Sequence, residues 1–583
     1  MTHEEPLQVP NSTFKYSTLW LLAIVIFAFG LRIYKLDARS IFLDEKFTMV
    51  ISQAVVMDGA NQKDVFNKPT FTPKEFWKSK NINDFNEAIT KGDIGNSPAY
   101  YAVIHAWMEI FGLSDFSARF PSVIFSTLTI LLLYFFVKRF IKSERVALLS
   151  CFLASIEPFF IAYSHQARNY SMSFFLILLA SYLFLRVVEN EEKKEFEIKY
   201  YVFYAFVALL SLLSHFLTFT IFVAHGLYVL FFLREKRGWF GLGLSMTFAI
   251  SGMALWMTIG GGKYTLFSLE HQAKIYKAES LLPLNMQHFG SVLIATPKNV
   301  FIKSLPIFSD LFLFSNGLTE SLNGTKNTLV AILVGFCLVG LYKFKPKYDW
   351  LAAIVILGSS MFYYSESKFS FPILSLTTFM LFLIIEYVIK NNSNRLTWFL
   401  LLMTFVPSLF LVIWSFRNGH TYGLTQRYGG FSFPFAMVLT SIIIDEIYTK
   451  TSPIKWVIVI LAIFQLYHIG LLLKSIYDDK SMKYTYFTIP RRPNLHYEAA
   501  QKIKLLYETG DTIKYPNEKM VFLSEIDKTY YNFSLKDAQL TNLYLPKDAE
   551  YIQKIDTTEY NKIVIVKKKE KKVIELVDLG KRY

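Results

Sequence analysis

The sequence predicts an α-helical, polytopic membrane protein with about thirteen spans, a folded first outer loop and a small C-terminal α/β domain outside the membrane. Three observations predict it. Hydrophobic residues make up 53% of the 583 and charged residues only 18%, whereas soluble domains carry about a quarter charged residues. The apolar residues lie in long runs, and about 20 of them cross a ~30 Å hydrocarbon core as helix. The short loops between the runs sort by Lys and Arg content, as membrane orientation requires. A soluble enzyme is excluded, and 26 Gly and 19 Pro exclude a collagen-like or disordered chain. The net charge of +15 is an excess that orients loops, and nucleic acid need not be invoked. Cys151 and Cys337 both lie in apolar runs, so neither a disulfide framework nor a Cys metal site can be built.

The expected spans cover 15–33, 119–139, 145–163, 168–187, 199–215, 216–233, 238–258, 326–343, 349–364, 369–389, 397–415, 429–447 and 454–474. No small-residue cleavage site follows the first, which therefore reads as a signal anchor. Arg32, Lys35 and Arg39 behind it read as headgroup anchors. The transmembrane domain is 1–474, with outer loops at 34–118 and 259–325, and the tail 475–583 is the extracytoplasmic domain. In the tail 497–507 reads as helix, and Met520-Val521-Phe522-Leu523 and Ile563-Val564-Ile565-Val566 read as strands. The long 259–325 loop reads as an acceptor-side lid.

The segment 98–112 decides the topology. It is apolar, only about 15 residues long, and carries His105 and Glu109. Counted as a span, it inverts every later loop. Counted as an interfacial helix, it leaves Lys138 to Arg145, Arg186 to Lys199, Arg234 to Arg237, Lys343 to Lys347, Lys390 to Arg395 and Lys450 to Lys455 on the N-terminal, cytoplasmic side. The second choice satisfies the charge rule. The abundance of Lys, Asn, Ile, Phe and Tyr fits an AT-rich bacterial genome, hence a bacterial inner membrane.

Chemistry-bearing residues then gather at the outer mouth. Asp44-Glu45 follow the first span, and a carboxylate beside hydrocarbon is costly unless it serves a polar cavity. Read by charge alone, they are equally two solvated loop acids. Arg168 and Arg427 sit at span ends, where snorkelling to headgroups is the ordinary role. Tyr170 and Tyr428 are interfacial tyrosines. His215 falls at an outer turn where a sugar or phosphate can be met, and His225 reads as a buried histidine with a polar partner. Gly260-Gly261-Gly262 is a hinge, and no HExxH, P-loop or GxGxxG occurs.

The order of these motifs carries a resemblance. They are Asp44-Glu45, Asp93 with Ser97-Pro98-Ala99-Tyr100-Tyr101, Ala118-Arg119-Phe120-Pro121-Ser122, Ser164-His165-Gln166-Ala167-Arg168-Asn169-Tyr170, and Arg427-Tyr428. The set resembles the GT-C glycosyltransferases, more narrowly the family-39-like group of protein O-mannosyltransferases and the lipid A aminoarabinose transferase. The likeness is strongest over 30–190. Ser97 departs from the family's first proline, and Gln166 stands where the family often has Glu.

The resemblance implies a GT-C-like fold and an inverting transfer of a hexose or pentose from a polyprenyl-phosphate donor. The acceptor is a lipid, a glycan or a protein, at the outer face of the membrane. It implies Asp44 as general base with Glu45 second. Arg168 and Arg427, with Tyr170, Tyr428 and Lys263, hold the donor phosphate, because guanidinium forks onto phosphate oxygens. Asp93, Tyr100, Tyr101, His215 and Gln166 line the acceptor and sugar pocket. With Gln166 uncharged, no catalytic metal or other cofactor is expected. Two other readings stay open on the residues alone. One is a lipid or solute transporter or flippase, and the other is a polysaccharide polymerase or ligase of the cell envelope.

Overall fold

Caps and prolines set the ends of the helices that the apolar runs form. The computed structural model describes residues 16–38, 41, 43–56, 59–78, 80–93, 96–287, 291–313, 325–344, 349–363, 370–449, 454–478, 494–516, 533–556 and 561–579. The first outer loop follows α1 (Ser17–Ile33). It carries α2 (Leu43–Ser52), the one-turn helices α3 (Lys63–Phe66) and α4 (Pro73–Phe76), α5 (Ile82–Gly92) and α6 (Pro98–Phe111). The bundle continues with α7 (Asp115–Phe140), α8 (Glu144–Ile156), α9 (Pro158–Ser164), α10 (Tyr170–Glu192), α11 (Ile198–Ser214), α12 (Phe219–Phe232) and α13 (Lys236–Thr258). Helices α14 (Lys263–Glu279) and α15 (Pro297–Leu313) give structure to the long loop. Then come α16 (Thr325–Phe344), α17 (Asp349–Tyr363), α18 (Ser370–Lys390), α19 (Arg395–Asn418), α20 (Gln426–Gly429), α21 (Phe433–Thr449) and α22 (Ile454–Tyr477).

Each expected span coincides with a helix, or with the pairs α8–α9 and α20–α21. By length and composition, seven described helices can cross a membrane, and the bent pair α8–α9 makes an eighth. The count of thirteen goes beyond that test; α1 and α11, at 17 residues each, fall just short on length. The 56° bend between α8 and α9 lies at Pro158, which lacks the backbone donor that would continue α8. Glu157 caps the new start by accepting the Phe159 N–H at 3.1 Å.

The loops sort to two ends of the bundle. At one end the basic loops pair with carboxylates: Arg139 with Glu189, Arg237 with Glu191, Arg395 with Glu192, Arg145 with Asp445 and Lys343 with Glu386. The other end of α10 carries Tyr170 and meets the outer-loop motifs. There the long loop is pinned to the connection before α20, with the Ala295 N–H donating to Gly419 and Tyr276 stacking on Tyr422 at 3.6 Å. Helix α6 has 14 residues, and Glu109 on it pairs with Lys547 of the tail at 2.8 Å.

Arg32 is not a headgroup anchor. It is fully buried and donates to Ser126 Oγ at 2.7 Å and to the Ala154 and Ser155 carbonyls at 3.1 Å, the open C-terminal end of α8. Lys35 is partly exposed and lies 3.8 Å from Asp478. Arg39 lies outside the described residues. His225 finds Ser181 Oγ at 3.1 Å and the Tyr204 hydroxyl at 3.0 Å, inside the bundle.

The tail holds α23 (Leu495–Leu506), β1 (Thr512–Pro516), α24 (Phe533–Asn542), β2 (Ile552–Asp556), β3 (Lys562–Val566) and β4 (Val573–Asp578). Its sheet order is β2-β1-β3-β4, with β1 and β2 parallel and the other pairs antiparallel. The expected helix and second strand are α23 and β3, while 520–523 lies outside the described residues. The tail and the first outer loop share one apolar core, in which Met49, Val55, Phe71 and Ile104 pack in the same cluster as Ala499, Ile513, Leu540 and Leu576. Backbone bonds also join them: Phe71 and Gln553 exchange both N–H···O bonds, at 2.9 and 2.8 Å.

Candidate active site

Helix α2 presents three consecutive charged residues, and successive helical residues point about 100° apart. Asp44, Glu45 and Lys46 therefore leave the helix in three directions. Glu45 enters the protein. It is fully buried and forms a two-pronged ion pair with Arg119, Nε–Oε1 at 2.8 Å and Nη2–Oε2 at 3.0 Å. Glu45 Oε1 also accepts the Ala167 N–H at 2.8 Å, and Arg119 Nη1 donates to the Leu36 carbonyl at 2.7 Å. This carboxylate ties three segments together. The expectation of Glu45 as a second base is set against a side chain already committed on both oxygens.

Asp44 faces differently. It is partly exposed, and among the described residues its carboxylate accepts no hydrogen bond. Its backbone carbonyl accepts from Thr48 Oγ1 at 3.0 Å and from Arg168 Nη1 at 3.4 Å. Arg168 also donates to Thr48 Oγ1 at 3.3 Å. Asp93, at the C-terminal cap of α5, accepts from the Tyr101 hydroxyl at 2.8 Å. Burial raises the Asp93 carboxyl above the usual carboxylate range, and the Arg168 charge opposes that rise. Asp44, Asp93, Arg168 and Tyr101 thus form one electrostatic group, although three sequence motifs supply them.

The group continues across the mouth of the bundle. Tyr170 packs 5.4 Å from the His215 ring, and His215 lies 6.3 Å from Tyr428, all between ring centres. Arg427 lies over Tyr428, 4.5 Å from its centre, and donates to its hydroxyl at 2.9 Å. The Arg168 and Arg427 charges both act on Tyr170 and His215. His215 Nδ1 accepts the Leu217 N–H at 3.1 Å, so a neutral ring carries its proton on Nε2 as a donor. The close approach after Arg427 needs glycine. A Cβ on Gly430 would meet Phe159 at 2.4 Å and Phe174 at 2.8 Å.

Three expected residues stand apart. Tyr100 is buried against α7, its hydroxyl 3.4 Å from Ser122 Oγ. Gln166 is buried and shapes the turn before α10, its carbonyl accepting the Arg168 N–H at 2.8 Å. Lys263 is exposed at the start of α14, and among the described residues no contact joins it to the cluster. Ser97 explains its departure from proline. It takes φ +57° before α6, which a proline ring cannot adopt, and its Oγ accepts from Asn169 at 2.5 Å. Arg119 and Thr48 were not singled out as site residues. Arg119 opens an apolar run, and its partner is the buried carboxylate of Glu45. Among the described residues no three His, Cys, Asp or Glu side chains converge as metal ligands.

Comparisons with known proteins bear on the same region. Residues 95–259 match the family model described as dolichyl-phosphate-mannose-protein mannosyltransferase. No curated protein sequence matches the chain. Among solved structures, the chain is similar to the archaeal oligosaccharyltransferase AglB from Archaeoglobus fulgidus in complex with an inhibitory peptide and a dolichol-phosphate. Identity is 13% and the TM-score 0.44, covering 85% of this chain and 58% of that one. It therefore spans less than two thirds of that protein's length. It is also similar to ArnT from Cupriavidus metallidurans bound to undecaprenyl phosphate, at 12% identity and TM-score 0.36, covering 92% of this chain and 86% of that one. The apo form of that ArnT matches at 11% identity and TM-score 0.33, over 74% and 78%. On its own ordered motifs and on the family model over 95–259, the chain resembles the GT-C superfamily of membrane glycosyltransferases.

Proposed function

We propose that the chain is an inverting glycosyltransferase. It moves a sugar from a polyprenyl-phosphate donor to a lipid, glycan or protein acceptor at the outer face of a bacterial cytoplasmic membrane. The observation that carries the reading is the convergence of Asp44, Asp93, Arg168, Tyr170, His215, Arg427 and Tyr428 at one end of the bundle. A carboxylate free of hydrogen bonds among the described residues stands beside the Arg168 guanidinium, and Tyr170 and His215 feel the charges of both Arg168 and Arg427. That is the polarity such a transfer needs.

In this reading the acceptor hydroxyl or amine gives its proton to Asp44 as its oxygen or nitrogen attacks the anomeric carbon. The bond to the phosphate oxygen breaks on the opposite face, and the phosphate leaves with the bonding electrons. Arg168 and Arg427 stabilise the charge that builds on it, with Tyr170, Tyr428 and the His215 Nε2–H as further donors. Asp93, held by Tyr101, orients Arg168. Glu45 holds α2 in place and takes no proton.

The test is donor consumption. Membranes carrying the wild-type or the Asp44→Asn protein are given a panel of radiolabelled undecaprenyl-phosphate sugars with envelope acceptors. A donor consumed by the wild type, with Asp44→Asn slower by about 10²–10⁴-fold, supports the reading and names the sugar. Consumption unaffected by Asp44→Asn removes Asp44 as base. No consumption of any donor by folded protein turns the reading toward transport or a diphosphate-linked polymerase.

A further inference from the structure

Lys46, the third charged residue of α2, points away from the mouth and into the tail. Its ammonium lies 3.2 Å from His496 Nδ1 on α23, and His496 Nε2 lies 3.0 Å from Asp537 Oδ1 on α24. His496 and Asp537 are both buried. We propose that His496 is a positioning residue for the transfer site: braced by Asp537, it grips Lys46 and so fixes the rotation of α2 that sets Asp44 beside Arg168. The proposal rests on the transfer reading above and makes the tail a working part of the site.

The argument begins with α2 itself. At 10 residues it is too short to be stable alone, so tertiary grips define its rotation. Glu45 supplies one grip through Arg119, on the bundle side. A helix held at one azimuth can still roll about that contact. Lys46 supplies a second azimuth, and two grips fix the roll. The Asp44 carbonyl then accepts from Arg168, which places the carboxylate at the mouth.

The chain of contacts needs a particular protonation state. His496 Nδ1 accepts from Lys46, and His496 Nε2–H donates to Asp537, which is the neutral ring in one tautomer. His496 faces Lys46 from α2 and Asp537 from α24, and the charges of Asp115 at the start of α7, Asp537 and Glu45 act on Lys46. Lys536, next to Asp537, lies over the Phe47 ring at 4.9 Å. A second proton on the ring removes its acceptor and sets a cation against the Lys46 ammonium. The grip is therefore made by the neutral ring.

The experiment uses the full-length protein in membranes, the radiolabelled undecaprenyl-phosphate sugar that the panel identifies, and three variants. His496→Leu breaks the chain. His496→Gln keeps an acceptor for Lys46 and a donor for Asp537 without titrating. Asp44→Asn reports on the base. Limited proteolysis of the tail is read alongside. The expected result is a His496→Leu kcat lowered about tenfold or more, as for a displaced catalytic group, at unchanged donor KM and with the tail still protected. His496→Gln, which keeps the acceptor for Lys46 and the donor for Asp537, restores kcat. Wild-type kcat in His496→Leu, with Asp44→Asn inactive, overturns the positioning role and leaves the transfer reading standing. Loss of tail protection together with activity in His496→Leu, without rescue by Gln, also overturns it, since the role is then packing alone. Full activity of Asp44→Asn removes the base assignment and the proposal with it.

Discussion

Glu45 and Arg119 form a fully buried, two-pronged ion pair that joins the first outer loop to the start of α7. Removing one partner strands the other charge away from water. Arg119→Leu or Glu45→Leu is expected to cost about 3–5 kcal/mol. The double variant recovers much of the loss, because no charge is left unpaired. Thermal unfolding of the detergent-purified protein, run on the two single variants and the double, measures this. Equal destabilisation by the double and by the sum of the singles sinks the account.

Arg168 holds a position where loss of the fork matters more than loss of bulk. Arg168→Gln is expected to weaken undecaprenyl phosphate binding about 10–100-fold, the worth of a charged hydrogen bond of about 1.5–3 kcal/mol. Arg168→Lys keeps the charge and loses the planar fork, so it falls between. Titration of each variant with undecaprenyl phosphate decides it, and unchanged affinity in Arg168→Gln removes this residue from the phosphate site.

Burial lowers the Lys46 ammonium from 10.5 to about 8. The unfolded chain keeps the ordinary value, so between these two pH values the unfolded state binds more protons and stability rises with pH. Below about 8 the lysine is charged in both states and the cost of burying it is constant. Unfolding temperatures of wild type and Lys46→Gln should therefore diverge in favour of wild type as pH rises from 8 to 10.5. Parallel curves across that window contradict the prediction.

Gly430→Ala forces a methyl group into Phe159 and Phe174 behind Arg427. Overpacking of this kind costs about 1–3 kcal/mol. A lower unfolding temperature, accompanied by weaker undecaprenyl phosphate binding, is the expected outcome. Unchanged stability shows that the two rings yield without strain.

Much of the architecture was legible because hydrophobic length and loop charge are local signals. The thirteen apolar runs meet helices. The motif order brought Asp44, Asp93, Arg168, Tyr170, His215, Arg427 and Tyr428 to one mouth. Burial and pairing were not legible. Arg32 lies at a span end, as snorkelling arginines do, yet it caps carbonyls on α8, a partner more than 100 residues away. Glu45 and Asp44 are neighbours of like charge, and only the fold separates a committed carboxylate from an available one. Lys46 and His496 lie 450 residues apart, beyond any periodicity.

The core shared by the first outer loop and the tail has a consequence for biosynthesis. Gln539 Nε2 donates to the Val56 carbonyl across 483 residues. At roughly 5–20 residues per second, the ribosome needs about 25–100 s to deliver that partner. Throughout that interval Met49, Val55, Phe71 and Ile104 of the loop lack the tail side of their cover. Nascent chains stalled before α23 should therefore show a protease-sensitive loop. The same loop should become resistant only after the last strand, β4, has emerged.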